Sequence, residues 1–228
     1  MAKVKFGNGI SEIRGSIAGN TYSRGSYGAY IRNRVTPRNP NTAAQQAVRA
    51  GLADISQTWR GLTSAQREQW NTQAPNFSNT NIFGDSQALT GFNFYGKINK
   101  NIQVAEGSAI TVPPVLASVT GITSMSVVAD TTAGTMAMTF SPAIPATQKL
   151  VVWATAPQSA GKNFVKSEYR IIQILDSSDS SPADLAAAYI VKFGALPGVN
   201  SKVFVKVRAT VTLSGLVGTD ISNNDIAV

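Results

Sequence analysis

The chain has 228 residues, of which 43% are apolar and 14% charged, and its formal net charge is +8. That length can bury a sizeable core without staples, and the apolar share with so little charge excludes long disorder. The absence of cysteine and histidine removes disulfides, thiolate nucleophiles, zinc–thiolate and iron–sulfur sites, and the commonest general base. The remaining carboxylates, lysines and hydroxyls form no recognisable catalytic constellation. A non-enzymatic protein is therefore expected, with no catalytic, cofactor-binding or metal-binding residue. Residues 1–10 lack the apolar centre of a signal peptide, and no apolar run reaches the length of a membrane span, so a soluble chain made in the cytosol is expected.

The positive charge is concentrated at the start. Residues 1–50 carry eight Lys and Arg against Glu12 alone, a net +7, whereas residues 51–110 are neutral and residues 111–228 carry +1. Such an arm suits three readings: nucleic-acid phosphates, an acidic protein surface met by arginine forks, or a solvated terminus. Residues 20–35 read as a β-hairpin turning at Gly25-Ser26-Tyr27-Gly28, with Tyr30, Arg32 and Arg34 on one face of the return strand and Ala29, Ile31, Asn33 and Val35 on the other. A two-stranded ribbon is marginal in water, so this one needs a further surface. Pro37 and Pro40 then hold the chain extended.

A helix is predicted from Thr42 to about Trp59, capped by Asn41 or Thr42, with Val48, Leu52, Ile55 and Trp59 along its apolar stripe. Gly61 ends it. Thr63 and Gln66 have capping-box spacing for a second helix, whose Trp70 should face Trp59 and close a helical hairpin. Residues 74–88, rich in Asn and Ser, read as loop. A third helix from about Thr90 presents Phe92, Tyr95, Ile98 and Ile102 at helical spacing, which is ordinary core packing. Val112-Pro113-Pro114 marks a boundary.

Beyond it the period changes to two. Strands are predicted at residues 124–130, 135–140, 150–156, 164–175 and 202–213, with a last one near 216–221. In residues 202–208 the valines and the basic side chains fall on opposite faces. Ser181-Pro182-Ala183-Asp184 is expected to start a short helix, with proline in its first turn, that ends at Gly194. The cluster Asp176, Asp179 and Asp184 does not match a calcium loop and reads as a turn followed by a helix cap. Trp153, within Val151-Val152-Trp153-Ala154, is expected to be buried in the core. The fold class is α+β: an extended arm (residues 1–41), a helical domain (42–111) and a β-sandwich of immunoglobulin-like or fibronectin III-like kind (112–228).

The first half also carries a resemblance. Gly19-Asn20-Thr21-Tyr22-Ser23-Arg24, Tyr30-Ile31-Arg32-Asn33-Arg34 and the run from Pro37 to Arg49 are followed by Trp59, the run from Leu62 to Trp70, and Thr90-Gly91-Phe92-Asn93-Phe94-Tyr95 with Asn99. This order, over roughly residues 15–105, resembles a loose group of uncharacterised bacteriophage and prophage structural proteins. The resemblance implies a virion component of head or tail, made in the host cytoplasm, with no known activity or cofactor. It also implies other virion proteins as partners. Tyr22, Arg24, Tyr30, Arg32, Arg34 and Arg38 are the expected docking residues, assembly as a homo-oligomer is expected, and no membrane span is. Two further readings stand beside it: a nucleic-acid binder using the arm, which is less favoured because no RRM, KH or helix-turn-helix signature accompanies the arm, and a host-surface adhesin using the β-sandwich.

Overall fold

The computed structural model describes residues 2–228, in a mixed α+β arrangement of four helices and several antiparallel sheets. The arm forms a four-stranded sheet from β1 (Ala2–Lys3), β2 (Gly15–Ile17), β3 (Asn20–Gly25) and β4 (Gly28–Asn33), ordered β1-β4-β3-β2. The expected hairpin is present, and Gly28 enters the return strand at a φ of +102° that disfavours any side chain. It is not a lone ribbon: Lys3 pairs with Tyr30 on one side, and Ser16 with Thr21 on the other. Both added strands are too short to show a period of two.

Helix α1 (Ala43–Gly61) opens with reciprocal bonds between Thr42 and Gln45, which makes Thr42 its cap. Of the expected stripe only Ile55 is buried; Val48 and Leu52 are each 59% exposed, and it is Gly51 that lies inside. Helix α2 (Ser64–Gln73) has the Thr63–Gln66 capping box and passes into a single 3₁₀ turn, Ala74–Asn76. Trp70 is fully buried, yet it does not meet Trp59. Tyr95 stands between them, 5.1 Å from Trp70 and 5.2 Å from Trp59, and α2 packs on α3 (Gly91–Val104). On α3 the inward aromatics are Phe94 and Tyr95, while Phe92 stays 36% exposed. Asn99, also buried, accepts from the Ile110 N–H and donates to the Tyr95 and Ile110 carbonyls, fixing the chain that leaves the helix.

Part of residues 74–88, expected as loop, forms a small hairpin, β5 (Ser78–Thr80) with β6 (Ser86–Ala88). Its tip is built by side chains: the Asn81 carbonyl oxygen accepts from the Phe83 and Asp85 N–H groups, and Asn81 donates to the Asp85 carboxylate. Such Asx turns mimic backbone turns, and so hide strands in a composition that reads as loop.

The remainder is β7 (Ser124–Asp130), β8 (Thr135–Ser141), β9 (Gln148–Ala154), β10 (Gln158–Ser159), β11 (Arg170–Leu175), β12 (Ala183–Asp184), helix α4 (Ala186–Phe193), β13 (Ser201–Val211) and β14 (Ile221–Ile226). One sheet is ordered β12-β8-β7; in the other, β13 pairs β14 along one edge and β9 with β10 along the other, and β11 pairs β9. Their inward side chains share one core, among them Val127, Met136 and Met138 from the first sheet and Leu150, Val152, Val205 and Val207 from the second. The sheets are also joined at an edge. Val228 donates to the Ala129 carbonyl and accepts from the Thr131 N–H, and Asp225 accepts from the Ala129 N–H.

Three local expectations are corrected. The last strand begins at Ile221, with only a Val217–Thr210 bridge before it. Residues 164–169 precede β11 rather than belong to it. Pro182 leads into β12, and the helix that follows starts only at Ala186, whose N–H is held by the Asp184 carboxylate. Gly194 does end α4, in the left-handed conformation.

By mutual packing the described chain falls into two compact units, residues 2–50 with 79–87, and residues 51–78 with 88–228. The second unit holds both hydrophobic clusters, one around Trp70 and Tyr95 and one between the sheets, so residues 51–78 and 88–111 pack with residues 112–228.

Candidate docking surface

None of residues 3–50 is buried. The arm forms backbone ladders but no interior, so whatever it is built for lies on its surfaces. Antiparallel register fixes what each surface holds, because directly paired residues share a face.

Tyr22 pairs with Ile31 and Arg24 with Ala29, so these four share one face. Val4, bonded to the Ala29 carbonyl, continues it. A shallow cleft of about 440 Å³ opens there, lined by Val4, Phe6, Ile10, Glu12, Arg24 and Ala29 among others. Glu12 lies 2.8 Å from Arg14 and 3.6 Å from Arg24. Two guanidiniums on one carboxylate leave the site with surplus positive charge. Arg14 is anchored further by a bond to the Ile82 carbonyl and by the Phe83 ring, 5.7 Å away.

The opposite face carries Lys3, Tyr30 and Ser23 in one row across the sheet, and Arg32, Thr21 and Ser16 in the next. Ser16 and Thr21 share a hydroxyl–hydroxyl bond of 2.9 Å. Arg34 follows one step past the strand, its N–H held by the Gly19 carbonyl. Arg38 lies beyond Pro37 in irregular chain. The six expected docking residues are thus not one constellation. Tyr22 and Arg24 occupy one face, Tyr30 and Arg32 the other with Arg34 following in register, and Arg38 belongs to neither.

A second cluster was not anticipated. Trp153 is half-buried on the outer face of its sheet, away from the core, which corrects the expectation of a core tryptophan. Strand alternation is the reason: Leu150, Val152 and Ala154 take the inner face, which leaves Lys149, Val151 and Trp153 outside. Lys206 stands 4.7 Å from the Trp153 ring and 5.3 Å from Tyr169, and Arg208 is 5.6 Å from Trp153. Asp220 takes hydrogen bonds from both cations. Burial pushes the Asp220 carboxyl up, but bonds from Arg208 and Lys206 outweigh it and hold the group below its ordinary range. The same bond raises Arg208 against its own desolvation. The indole thus carries two of the protein's own cations against its ring.

The Asp176 cluster resolves into local turns. Asp176 accepts from the Ser178 hydroxyl and N–H, which lower its pKa, while Asp179 accepts from the Asp176 N–H. Among the described residues no group of three or more carboxylates is arranged to hold a metal ion, and no helix is long and apolar enough to cross a membrane. The chain matches no protein family, no curated protein and no solved structure.

Proposed function

We propose that this chain is a non-enzymatic structural component of a bacteriophage particle, a decoration, connector or tail-base subunit that assembles as an oligomer and docks through its arm. The observation that carries the reading is the arm itself: a four-stranded sheet within a segment, residues 1–50, of net charge +7, in which none of residues 3–50 is buried. A sheet of this size needs a hydrophobic face covered to be stable alone, so its natural complement is a neighbouring subunit. The face bearing Tyr22, Ile31, Val4 and the Glu12–Arg24 cleft has the mixture of aromatic, aliphatic and arginine groups that protein interfaces favour. A neighbour's carboxylate fits the surplus charge of Arg14 and Arg24. The order of segments in residues 15–105 resembles that of phage structural proteins, and this resemblance supports the same reading.

The β-part is proposed to be a fibronectin III-like sandwich. In chain order its strands distribute as first, second and fifth in one sheet and third, fourth, sixth and seventh in the other, when β7, β8, β9, β11, β12, β13 and β14 are counted. The fourth strand lies beside the third rather than the fifth, which distinguishes this order from that of an immunoglobulin constant domain.

The test is incorporation. Tagged full-length chain, supplied in trans to cells producing the phage, is expected to co-purify with particles. Arg24→Glu with Tyr22→Ala is expected to abolish this while leaving the thermal transition in place. Incorporation unchanged by that double substitution refutes docking through this face.

A further inference from the structure

The opposite face of the arm's sheet has a different chemistry. Its two cross-strand rows present Lys3, Tyr30 and Ser23, then Arg32, Thr21 and Ser16, and Arg34 follows in register. Every side chain in those rows is a cation or a hydroxyl; none is a carboxylate, and none is aliphatic. Among the described residues the ammonium of Lys3 and the guanidiniums of Arg32 and Arg34 make no ion pair, in contrast to Arg14 and Arg24 across the sheet. Neighbouring strands stand about 4.8 Å apart, and successive same-face residues about 6.8 Å apart along each strand. The donors therefore form a flat grid rather than a pocket.

We propose that this face binds the phosphodiester backbone of nucleic acid without reading its sequence. Lys, Arg, Ser, Thr and Tyr are the side chains that contact phosphate oxygens, whereas Lys and Ser are depleted from protein–protein interfaces. A second copy of the chain is a poor occupant, because residues 51–228 net +1 and so carry no surplus of negative charge to match the face. The rows lie on a broad sheet face rather than on a helix or two-stranded ribbon that enters the major groove, so the donors meet phosphates rather than base edges. The inference goes beyond docking through Tyr22 and Arg24, and it gives the arm two partners on two faces: protein on one, packaged or passing nucleic acid on the other.

The experiment uses the full chain with a fluorescent 24-base-pair duplex and, separately, a single strand of equal length, each in two unrelated sequences. Anisotropy is followed from 20 to 200 mM NaCl. Three cations neutralising three phosphates predict a log–log slope near −2.7 on the duplex, a ~500-fold loss of affinity over that tenfold range. Lys3→Gln with Arg32→Gln leaves one cation and reduces the loss to ~8-fold. Arg32→Lys keeps the wild-type slope, since counterion release counts charges, and so separates loss of charge from loss of fold. Arg24→Gln, on the other face, also keeps it. The proposal predicts equal affinity for the two sequences. Absence of binding at 20 mM salt overturns it, as does a salt slope unchanged by the Lys3 and Arg32 double substitution. Displacement of the duplex by poly-glutamate at equal charge concentration also overturns it and makes an acidic protein the occupant of this face. Particle incorporation is read from the Tyr22 and Arg24 variants, so failure of either idea leaves the other standing.

Discussion

Removing residues 1–41 isolates the question of what the arm contributes to the chain's own stability. Each apolar side chain taken fully out of water contributes about 1.5–3 kcal/mol, and residues 3–41 include none that is buried. Val4, Tyr22, Tyr30 and Ile31 are only half-covered. The deletion retains Thr42, the cap of α1, and all of both hydrophobic clusters. The expected change in unfolding free energy is below about 1 kcal/mol, which for a chain of this size moves Tm by no more than about 4 °C. Ile55→Ala, by contrast, empties a buried site and should cost about 2–5 kcal/mol. The assay pairs urea unfolding of the truncated chain with hydrogen exchange on the full one. Amides of β3 and β4 should open at a small fraction of the global unfolding energy, while those of β13, the long central strand, should exchange only near global unfolding. A Tm drop beyond about 8 °C, or β3 protection equal to that of β13, would refute the argument that the arm waits for a partner.

Three other outcomes follow from the core. Gly215→Ala should destabilise by about 3 kcal/mol or more, because φ is +63° and an added Cβ would lie 2.6 Å from the Ile98 carbonyl oxygen; a loss under 1 kcal/mol in urea unfolding contradicts this. Trp70→Phe removes the 2.9 Å bond to the Thr111 carbonyl and half the fully buried ring system, for about 2–3 kcal/mol, and a calorimetric Tm within 2 °C of wild type would count against it. Burial raises the pKa of Tyr189, whose hydroxyl donates to the Thr155 carbonyl. The folded state therefore holds its proton where the unfolded state has lost it. Stability is full below pH 10 and falls above it, by up to about 1.4 kcal/mol per pH unit. Tyr189→Phe should flatten that alkaline decline, and an unchanged pH profile would show that another group sets it.

How much was legible depended on whether a residue's environment is set locally. The Thr63–Gln66 capping box, the Gly25–Gly28 turn and the valine alternation of β13 are local, and the sequence shows them directly. The Trp153 position needed strand parity across a whole sheet; the phase of its neighbours Val152 and Ala154 pointed inward and so placed it outside, but the apolar run masked that alternation. Val48 and Leu52 fit a helical stripe, yet burial requires an opposing surface, and periodicity cannot say whether one exists. The arm's six expected docking residues share only their type and their nearness in sequence. The pairing register that separates Tyr22 and Arg24 from Tyr30 and Arg32 follows from the hairpin turn alone. What no local signal supplied was β1 and β2, whose two and three residues acquire strand character only by pairing.

The stitch between β7 and the chain end at Val228 has a consequence for growth by strand addition. Unpaired strand edges recruit other chains. Here Val228 bonds to both Ala129 and Thr131 and occupies the rims where the two sheets meet. At the far rims, β12 is two residues long and β11 is interrupted by a bulge between Ile171 and Gln173, both poor templates. The β-part is thus guarded against unplanned polymerisation, whereas the arm leaves β1 and β2 as the outer strands of an uncovered sheet. The division leaves a body whose rims are poor templates and one short, basic sheet whose outer strands stay open to an added strand.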